Sequence, residues 1–169
     1  MKKLSLILFS LLILFFSTQS YSQEKFISGS PHKVNVIDGD TITIHGEKVR
    51  LHGIDAPEME QICRTKKNNP YACGVISKEL LYSWISKSKN KIYCYYSERD
   101  RYKRIIGKCY LGPGSNSSLN KLMVEYGYAV AYTRYSNDYI ESQNRAKEKS
   151  LGIWTGKFDL PEEWRRQNK

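Results

Sequence analysis

Hydrophobic and polar residues alternate along the chain from residue 33 onward. The alternating hydrophobic positions are Val34 and Val36, Ile42 and Ile44, and Val49 and Leu51. A period of two places one face of a strand against a core and the other face in solvent. The pattern therefore predicts three half-buried strands, with a turn at 45–47 and the end of the third strand at 53–57.

After Cys73 and Gly74 the hydrophobic residues recur every three or four positions, which predicts an amphipathic helix. They are Ile76, Leu80, Leu81, Trp84 and Ile85. The rest of the pattern predicts strands at 92–97 and 104–111 and helices at 119–126 and about 138–150. Apolar residues in 154–164 predict that the C-terminal tail packs against the core.

This order of elements predicts the fold. Three strands, a helix, two strands and further helices are typical of the OB-fold. We therefore predict an α+β protein, a five-stranded OB-fold β-barrel with about three packed α-helices. One domain over 23–169 accounts for all of these elements, with its motif-bearing core at about 33–154.

The first 22 residues are predicted to be a secretory signal peptide. Lys2 and Lys3 precede a 13-residue stretch at 4–16 that is interrupted by only two serines and followed by small polar residues. Such a stretch is typical of a signal peptide and shorter than the roughly 20 apolar residues of a membrane span. Cleavage before Gln23 would make the protein secreted or periplasmic, with no membrane insertion; the alternative is an uncleaved membrane anchor.

Composition and charge narrow the class of partner. The chain has 27 Lys+Arg against 17 Asp+Glu, a net charge of +10. Cleavage after residue 22 would remove two lysines and no acid, leaving +8. Apolar residues at 40% exclude a disordered or fibrous chain. The excess of positive charge favours a polyanionic partner, but it does not distinguish nucleic acid from anionic lipid.

Four cysteines predict two disulfides in an exported protein. They are Cys63, Cys73, Cys94 and Cys109, and none of them forms a C-x-x-C pair typical of zinc sites. Sequence alone permits three pairings. If the two later strands form a hairpin with Cys94 opposite Cys109, the same register places Ile92 opposite Leu111 on one face. This agreement favours Cys94 with Cys109 and leaves Cys63 with Cys73.

Three charged segments at predicted strand ends are the candidates for chemistry. They are Asp-Gly-Asp-Thr at 38–41, the segment 50–58 that begins with Arg and ends with Glu, and Asp-Arg-Tyr-Lys-Arg at 100–104. Alone, Asp-Gly-Asp is typical of an ordinary turn. However, Asp55 ends a strand adjacent in sequence to the one that Asp40 begins, so their carboxylates can converge. Hard oxygen ligands of this kind suit Ca²⁺ or Mg²⁺.

In this order and spacing, the three segments resemble the staphylococcal nuclease (thermonuclease) family. The resemblance covers about 33–154 and includes Leu119-Asn120, Gly127, the Ala131-Tyr132 region and the segment 151–154. It implies an OB-fold barrel with helices and a calcium cofactor. It also implies that DNA and RNA are the substrates, cleaved with little sequence preference to leave 3′-phosphates.

The resemblance implies a calcium site and a catalytic group. Asp40 and Asp55 would bind Ca²⁺ through their carboxylates and Ala56 through its backbone carbonyl, while Asp38 belongs to the matching motif. Glu58 would act as the general base. The arginines that would bind the phosphate are Arg50 and Arg104, and the positions that would hold the nucleotide are Arg101, Tyr102 and Tyr132.

Two positions differ from the family pattern. Ala56 stands where the best-known members have threonine, which matters little if the ligand there is a main-chain oxygen. Lys103 stands where a glycine usually precedes the arginine. A lysine tolerates positive φ poorly, so Lys103 is expected to alter the conformation of the turn that presents Arg104.

Other functions fit parts of the pattern. An OB-fold can bind nucleic acid without cleaving it, and a protein-interaction domain could use the acidic pairs simply as turns. The presence of all five proposed side chains of the catalytic and metal sites favours the nuclease. The sequence indicates no stable protein partner, and we expect a monomer.

Overall fold

The computed structural model describes residues 25–168, and the predicted signal peptide lies outside the described residues. Ten short strands are present in this part of the chain. In chain order they are β1 (Lys25–Gly29), β2 (Val34–Val36), β3 (Thr41–Ile44), β4 (Glu47–Leu51), β5 (Ile54–Asp55), β6 (Ile62–Arg64), β7 (Pro70–Ala72), β8 (Ile92–Arg99), β9 (Ile105–Tyr110) and β10 (Val130–Ala131).

Six of these strands form one curled, half-barrel sheet in the order β1-β8-β9-β4-β3-β2. Neighbouring strands are antiparallel except β4 and β9, which pair in parallel through Val49 opposite Ile105. The two remaining pairs, β10 with β5 and β6 with β7, are separate two-stranded sheets. The predicted α+β, OB-fold-like architecture is confirmed.

The sequence determines the β3–β4 hairpin locally. His45 and Gly46 form its two-residue loop with φ of 51° and 82°, the combination required by a type I′ turn. The loop sets a register in which Ile42 pairs with Val49, and both are fully buried. The same register places Arg50 opposite Thr41, at the strand end where the acidic segment begins.

Four α-helices surround the sheet. They are α1 (Cys73–Ser86), α2 (Leu119–Glu125), α3 (Ile140–Glu148) and α4 (Pro161–Gln167), with two short 3-10 turns at Pro31–Lys33 and Gly152–Thr155. The three predicted helices correspond to α1, α2 and α3. Ser118 caps α2 by accepting a hydrogen bond from the Lys121 backbone at 3.1 Å.

Both predicted disulfides are present. Cys94 pairs with Cys109 across β8 and β9 in the predicted register, and Cys63 pairs with Cys73 between β6 and the start of α1. All four cysteines are buried. Within residues 25–168, no helix combines the length and the hydrophobicity needed to cross a membrane.

The predicted strand count is corrected from five to six in the main sheet. The additional strand, β1, lies at the sheet edge and buries only Gly29, while Phe26 is exposed. An edge strand with so little buried surface lacks the alternation on which the prediction depends. The short pairs β5–β10 and β6–β7 also fall below the length at which a period of two is visible.

Candidate active site

Asp40 and Asp55 meet because the β3–β4 hairpin returns the chain to the start of β3, just before β5. Asp40 precedes β3 and Asp55 ends β5, and both carboxylates are buried. Oδ2 of Asp40 accepts a hydrogen bond at 2.8 Å from the backbone nitrogen of Ala56, the residue after Asp55. The predicted convergence of the two acidic segments is therefore present, and Asp40 also fixes the backbone at Ala56.

Arg50 lies between these two carboxylates. Its Nη2 donates to Oδ1 of Asp55 at 2.9 Å, and its Nη1 lies against Oδ1 of Asp40. Burial lowers the pKa of Arg50, while the charges of Asp55 and Asp38 act in the opposite direction. A largely buried guanidinium shared by two buried carboxylates forms a tightly paired charge cluster.

Asp38 stabilises the turn that precedes Asp40. Its Oδ1 accepts a hydrogen bond at 3.0 Å from the Asp40 backbone, which is a local turn contact. Burial raises the pKa of Asp38, and Arg50 and hydrogen bonds from Thr41 lower it less strongly. Asp38 thus supports the conformation of the segment that presents Asp40.

Glu58 is half-buried near Asp55, and its backbone is held by Gln61. The Glu58 nitrogen donates to Oε1 of Gln61 at 3.2 Å, and Nε2 of the fully buried Gln61 donates to the Asp159 carbonyl at 2.8 Å. The segment that carries the proposed base is therefore attached to the C-terminal tail.

Arg165 is a member of this site that the sequence did not predict. Its Nη1 and Nη2 donate to the two oxygens of Asp55, both at 2.9 Å, and Nη1 also donates to Oε1 of Glu58 at 2.6 Å. Burial alone would lower the pKa of Arg165, but its hydrogen bonds to the two carboxylates outweigh burial and raise it. The only signal in this region was the apolar pattern that predicted a docked tail.

Arg104 follows the turn between β8 and β9. Asp100 organises that turn by accepting hydrogen bonds from the backbone nitrogens of Tyr102 and Arg104, both at 2.9 Å. Lys103 has φ of 65°, so the position where the family usually has glycine keeps the left-handed conformation despite its side chain. The charge of Arg104 acts on both Asp38 and Arg50, so this arginine lies near the cluster, but within residues 25–168 its side chain forms no hydrogen bond to it.

The predicted nucleotide-binding residues lie in two places. Arg101 and Tyr102 are in the exposed turn, where Nη2 of Arg101 donates to the Tyr102 hydroxyl at 2.7 Å. Tyr132 lies beyond β10, where its backbone nitrogen donates to the Gly53 carbonyl and its ring packs against Tyr135 at 4.8 Å. The charge of Asp55 contributes to the raised pKa of Tyr132, after burial, so the tyrosine lies beside the cluster.

The donor chemistry of the site fits a hard cation. Asp40 and Asp55 contact the two terminal nitrogens of one guanidinium, that of Arg50, so their carboxylates face the same cationic group. Within residues 25–168, no three acidic, histidine or cysteine side chains are grouped as a complete set of metal ligands. A bound calcium would therefore need backbone oxygen and water besides these two carboxylates, a ligand mixture that calcium accepts.

The curled sheet and its cluster of carboxylates and arginines define an OB-fold-like protein with a charged site beside β3, β4 and β5. More specifically, the chain belongs to the staphylococcal nuclease family, because the model described as "Staphylococcal nuclease homologue" matches residues 48–156. This match includes Arg50, Asp55, Glu58 and Arg104, but it does not include α4.

Three relatives illustrate the range of similar proteins. The chain is 38% identical over 123 residues to "Succinoglycan biosynthesis protein ExoI" of Rhizobium meliloti (strain 1021), covering 72% of this chain and 63% of that protein. It is 33% identical to an "Uncharacterized endonuclease" of Haemophilus influenzae, covering 97% of this chain and 86% of the relative. A rice protein, "Probable staphylococcal-like nuclease CAN3" of Oryza sativa subsp. japonica, is 26% identical over 82% of this chain and 33% of its own length.

Proposed function

We propose that this protein is an exported, calcium-dependent endonuclease that hydrolyses phosphodiester bonds in DNA and RNA with little sequence specificity and leaves 3′-phosphates. The observation that carries the proposal is the shared contact of Arg50 with Asp40 and Asp55 beside Glu58. Membership of the staphylococcal nuclease family and similarity to proteins named endonucleases support it.

The reaction needs the residue types that meet here. Attack of water on a phosphodiester requires a base, neutralisation of charge on the phosphoryl oxygens and correct placement of the nucleophile. Glu58 would take the proton from water. Arg50 and Arg104 would bind the phosphate, since a planar guanidinium can donate two hydrogen bonds to phosphate oxygens while it remains charged.

Calcium would be held by the carboxylates of Asp40 and Asp55 and by the carbonyl of Ala56. When bound, the ion would supply positive charge that stabilises the phosphoryl oxygens. Nη1 and Nη2 of Arg50 contact these carboxylates in the structure. Substrate binding would therefore require Arg50 to exchange at least one carboxylate contact for a phosphate oxygen.

The surface around the site is suited to single strands of nucleic acid. Tyr102 is exposed beside Arg101, and Tyr132 lies beside the acidic cluster. Aromatic rings stack on any base, and arginines attract the backbone without reading its sequence. Such contacts favour binding of both DNA and RNA, which is the basis for proposing little sequence preference.

Export is proposed from the predicted signal peptide and the cysteines. Two buried disulfides are typical of proteins from an oxidising compartment, which favours a secreted or periplasmic location. The exported protein is expected to begin at Gln23, to contain no free thiol and to be a monomer. N-terminal sequencing and thiol counting by mass spectrometry test the first two expectations, and an N-terminus at Met1 or four free thiols would contradict them.

Digestion of labelled single-stranded DNA and RNA tests the activity. Calcium is expected to support cleavage, a chelator to abolish it, and Glu58→Gln to lower kcat by about 10² to 10⁴, the usual contribution of a general base. Glu60→Gln is the matched control, because Glu60 is an exposed neighbour. Products are expected to carry 3′-phosphate and 5′-hydroxyl ends.

Two outcomes would contradict the proposal. Equal cleavage with calcium, with chelator and with Glu58→Gln would exclude the proposed mechanism. Strand binding without cleavage in any sample would instead identify a binding module that keeps the fold of a nuclease.

A further inference from the structure

The C-terminal segment 157–167 is attached directly to the part of the chain that carries Glu58. Lys157 and Arg64 exchange two backbone hydrogen bonds, both at 2.8 Å. Gln61 reaches the Asp159 carbonyl at 2.8 Å, and Arg134 forms an ion pair with Glu162 at 2.6 Å. These contacts fix α4, which begins at Pro161, relative to the site.

One residue of α4 reaches into the site itself. Arg165 donates to both oxygens of Asp55 with a two-point contact, and the same Nη1 also binds Glu58. A two-point contact between planar groups fixes orientation as well as distance. Asp55 is only 1% exposed, so its carboxylate has little contact with water and depends on these donors.

The contacts of Arg165 leave reactive atoms open. Within residues 25–168, no hydrogen bond involves Oε2 of Glu58, so one oxygen of the base is held while the other is available for a proton. In this part of the chain, Oδ2 of Asp55 accepts a hydrogen bond from Arg165 alone, so one of its two lone pairs has no donor. Arg165 thus orients both carboxylates while one oxygen of Glu58 has no donor within residues 25–168.

We propose that Arg165 is a positioning residue for the nuclease reaction and that segment 157–167 is part of the catalytic unit, although it lies outside the family match at 48–156. Arg165 acts through Glu58 and Asp55 and need not touch the substrate. The inference rests on the proposed nuclease function.

Three variants of the complete exported protein test this role: Arg165→Ala, Arg165→Lys and the matched control Arg166→Ala. Arg166 is the next residue of the same helix, and its side chain is 66% exposed. Arg165→Ala is expected to lower kcat by about 10²-fold with little change in KM, because misplacing a reacting group by about 1 Å has an effect of this size. Arg165→Lys should restore only part of the loss, since an ammonium cannot make the planar two-point contact.

Added guanidinium ion separates positioning from a general loss of structure. Millimolar guanidinium chloride is expected to raise the kcat of Arg165→Ala and to leave wild type and Glu58→Gln unchanged. In calcium-free Arg165→Ala, the same ion should shift the ¹³C carboxyl resonances of Glu58 and Asp55. This second readout depends neither on calcium nor on turnover.

Several results would overturn the inference. An unchanged kcat in Arg165→Ala would show that the contacts of Arg165 with Asp55 and Glu58 do not contribute to catalysis. An increased kcat would show that Arg165 blocks the site. An equal loss of kcat in Arg166→Ala would show that the effect is not specific to Arg165. A loss of kcat in Arg165→Ala that comes with a lower melting temperature and is not rescued by guanidinium would show a purely structural role. If Glu58→Gln is as active as wild type, the proposed function fails first, and this inference fails with it.

Discussion

Asp100 holds Arg104 by its side chain as well as by its backbone. Nε of Arg104 donates to Oδ2 of Asp100 at 2.7 Å, and among the hydrogen bonds within residues 25–168 this is the only one from the Arg104 side chain. The two terminal nitrogens of Arg104 therefore remain available for another anion. The Asp100 carboxylate thus stabilises the turn and orients the Arg104 guanidinium.

Replacement of Asp100 is expected to destabilise the protein more at pH 7 than at pH 3. Burial alone would raise the pKa of Asp100, but hydrogen bonds from Arg104 and Tyr102 outweigh it and lower the pKa below 3.8. A depressed folded-state pKa contributes stability above the unfolded-state pKa of about 3.9, and this contribution is lost as the pH falls through the folded-state value. Urea unfolding of wild type and Asp100→Asn at both pH values measures the difference.

Glu79→Gln provides the control for this pH effect. Glu79 is exposed on α1, and it takes part in no ion pair within the described part of the chain. Its replacement should change stability little at either pH. A difference between wild type and Asp100→Asn that is the same at pH 7 and pH 3 would show that the carboxylate charge contributes nothing.

Lys103→Gly is expected to stabilise the protein. Lys103 has φ of 65°, and an L-residue with a Cβ is strained in this region while glycine is not. Glycine removes the backbone strain of the folded state but gives the unfolded chain more conformational freedom, which partly offsets this gain. The net effect should raise the free energy of unfolding by about 0.5 to 1 kcal/mol. Lys103→Ala removes the same side chain but keeps the strain, so a gain in both variants would point to the lysine charge instead.

Gly152→Ala should be much more damaging than Gly114→Ala. Both glycines have positive φ, 52° and 74°, but an added Cβ at Gly152 would lie 2.1 Å from the Gly127 carbonyl oxygen, whereas Gly114 has open space. The Gly114 change is expected to cost about 1 to 2 kcal/mol of backbone strain. Gly152→Ala adds a clash with backbone, and equal unfolding free energies for the two variants would contradict this account.

Asn120→Leu is expected to lower the free energy of unfolding by about 2 to 4 kcal/mol, because it leaves buried backbone groups without partners. The fully buried Asn120 accepts from the Cys109 nitrogen at 3.0 Å and donates to the carbonyls of His52 and Gly107. Chemical denaturation checks the size of the effect. Asn116→Ala, in an exposed loop, should be close to neutral, and a similar loss there would argue against a special role for Asn120.

The sequence predicted those parts of the site that lie within short segments or follow from strand register. The pairing of Cys94 with Cys109 follows from the alternation in two neighbouring strands, and Asp40 and Asp55 meet because the intervening strands form a tight hairpin. The positive φ at Lys103 was not predicted, because a lysine tolerates this conformation poorly and was expected to alter the turn.

Arg165 could not be found in the same way. Its contact with Asp55 spans 110 residues and depends on how the tail docks, and its neighbour Arg166 has the same residue type in the same helix without reaching the site. The edge strand β1 was missed because it has almost no buried face. The local pattern of hydrophobic and polar residues therefore predicts neither the contact of Arg165 with Asp55 nor the strand β1.

The long sequence separation between Arg165 and Asp55 has a consequence for folding order. The hairpins β3–β4 and β8–β9 close over short stretches of chain, so they can form before α4 docks and Arg165 reaches Asp55. Contacts between distant segments also close late in folding, because the intervening chain must first lose conformational freedom. The arrangement would therefore delay full activity until the end of the chain has folded onto the site.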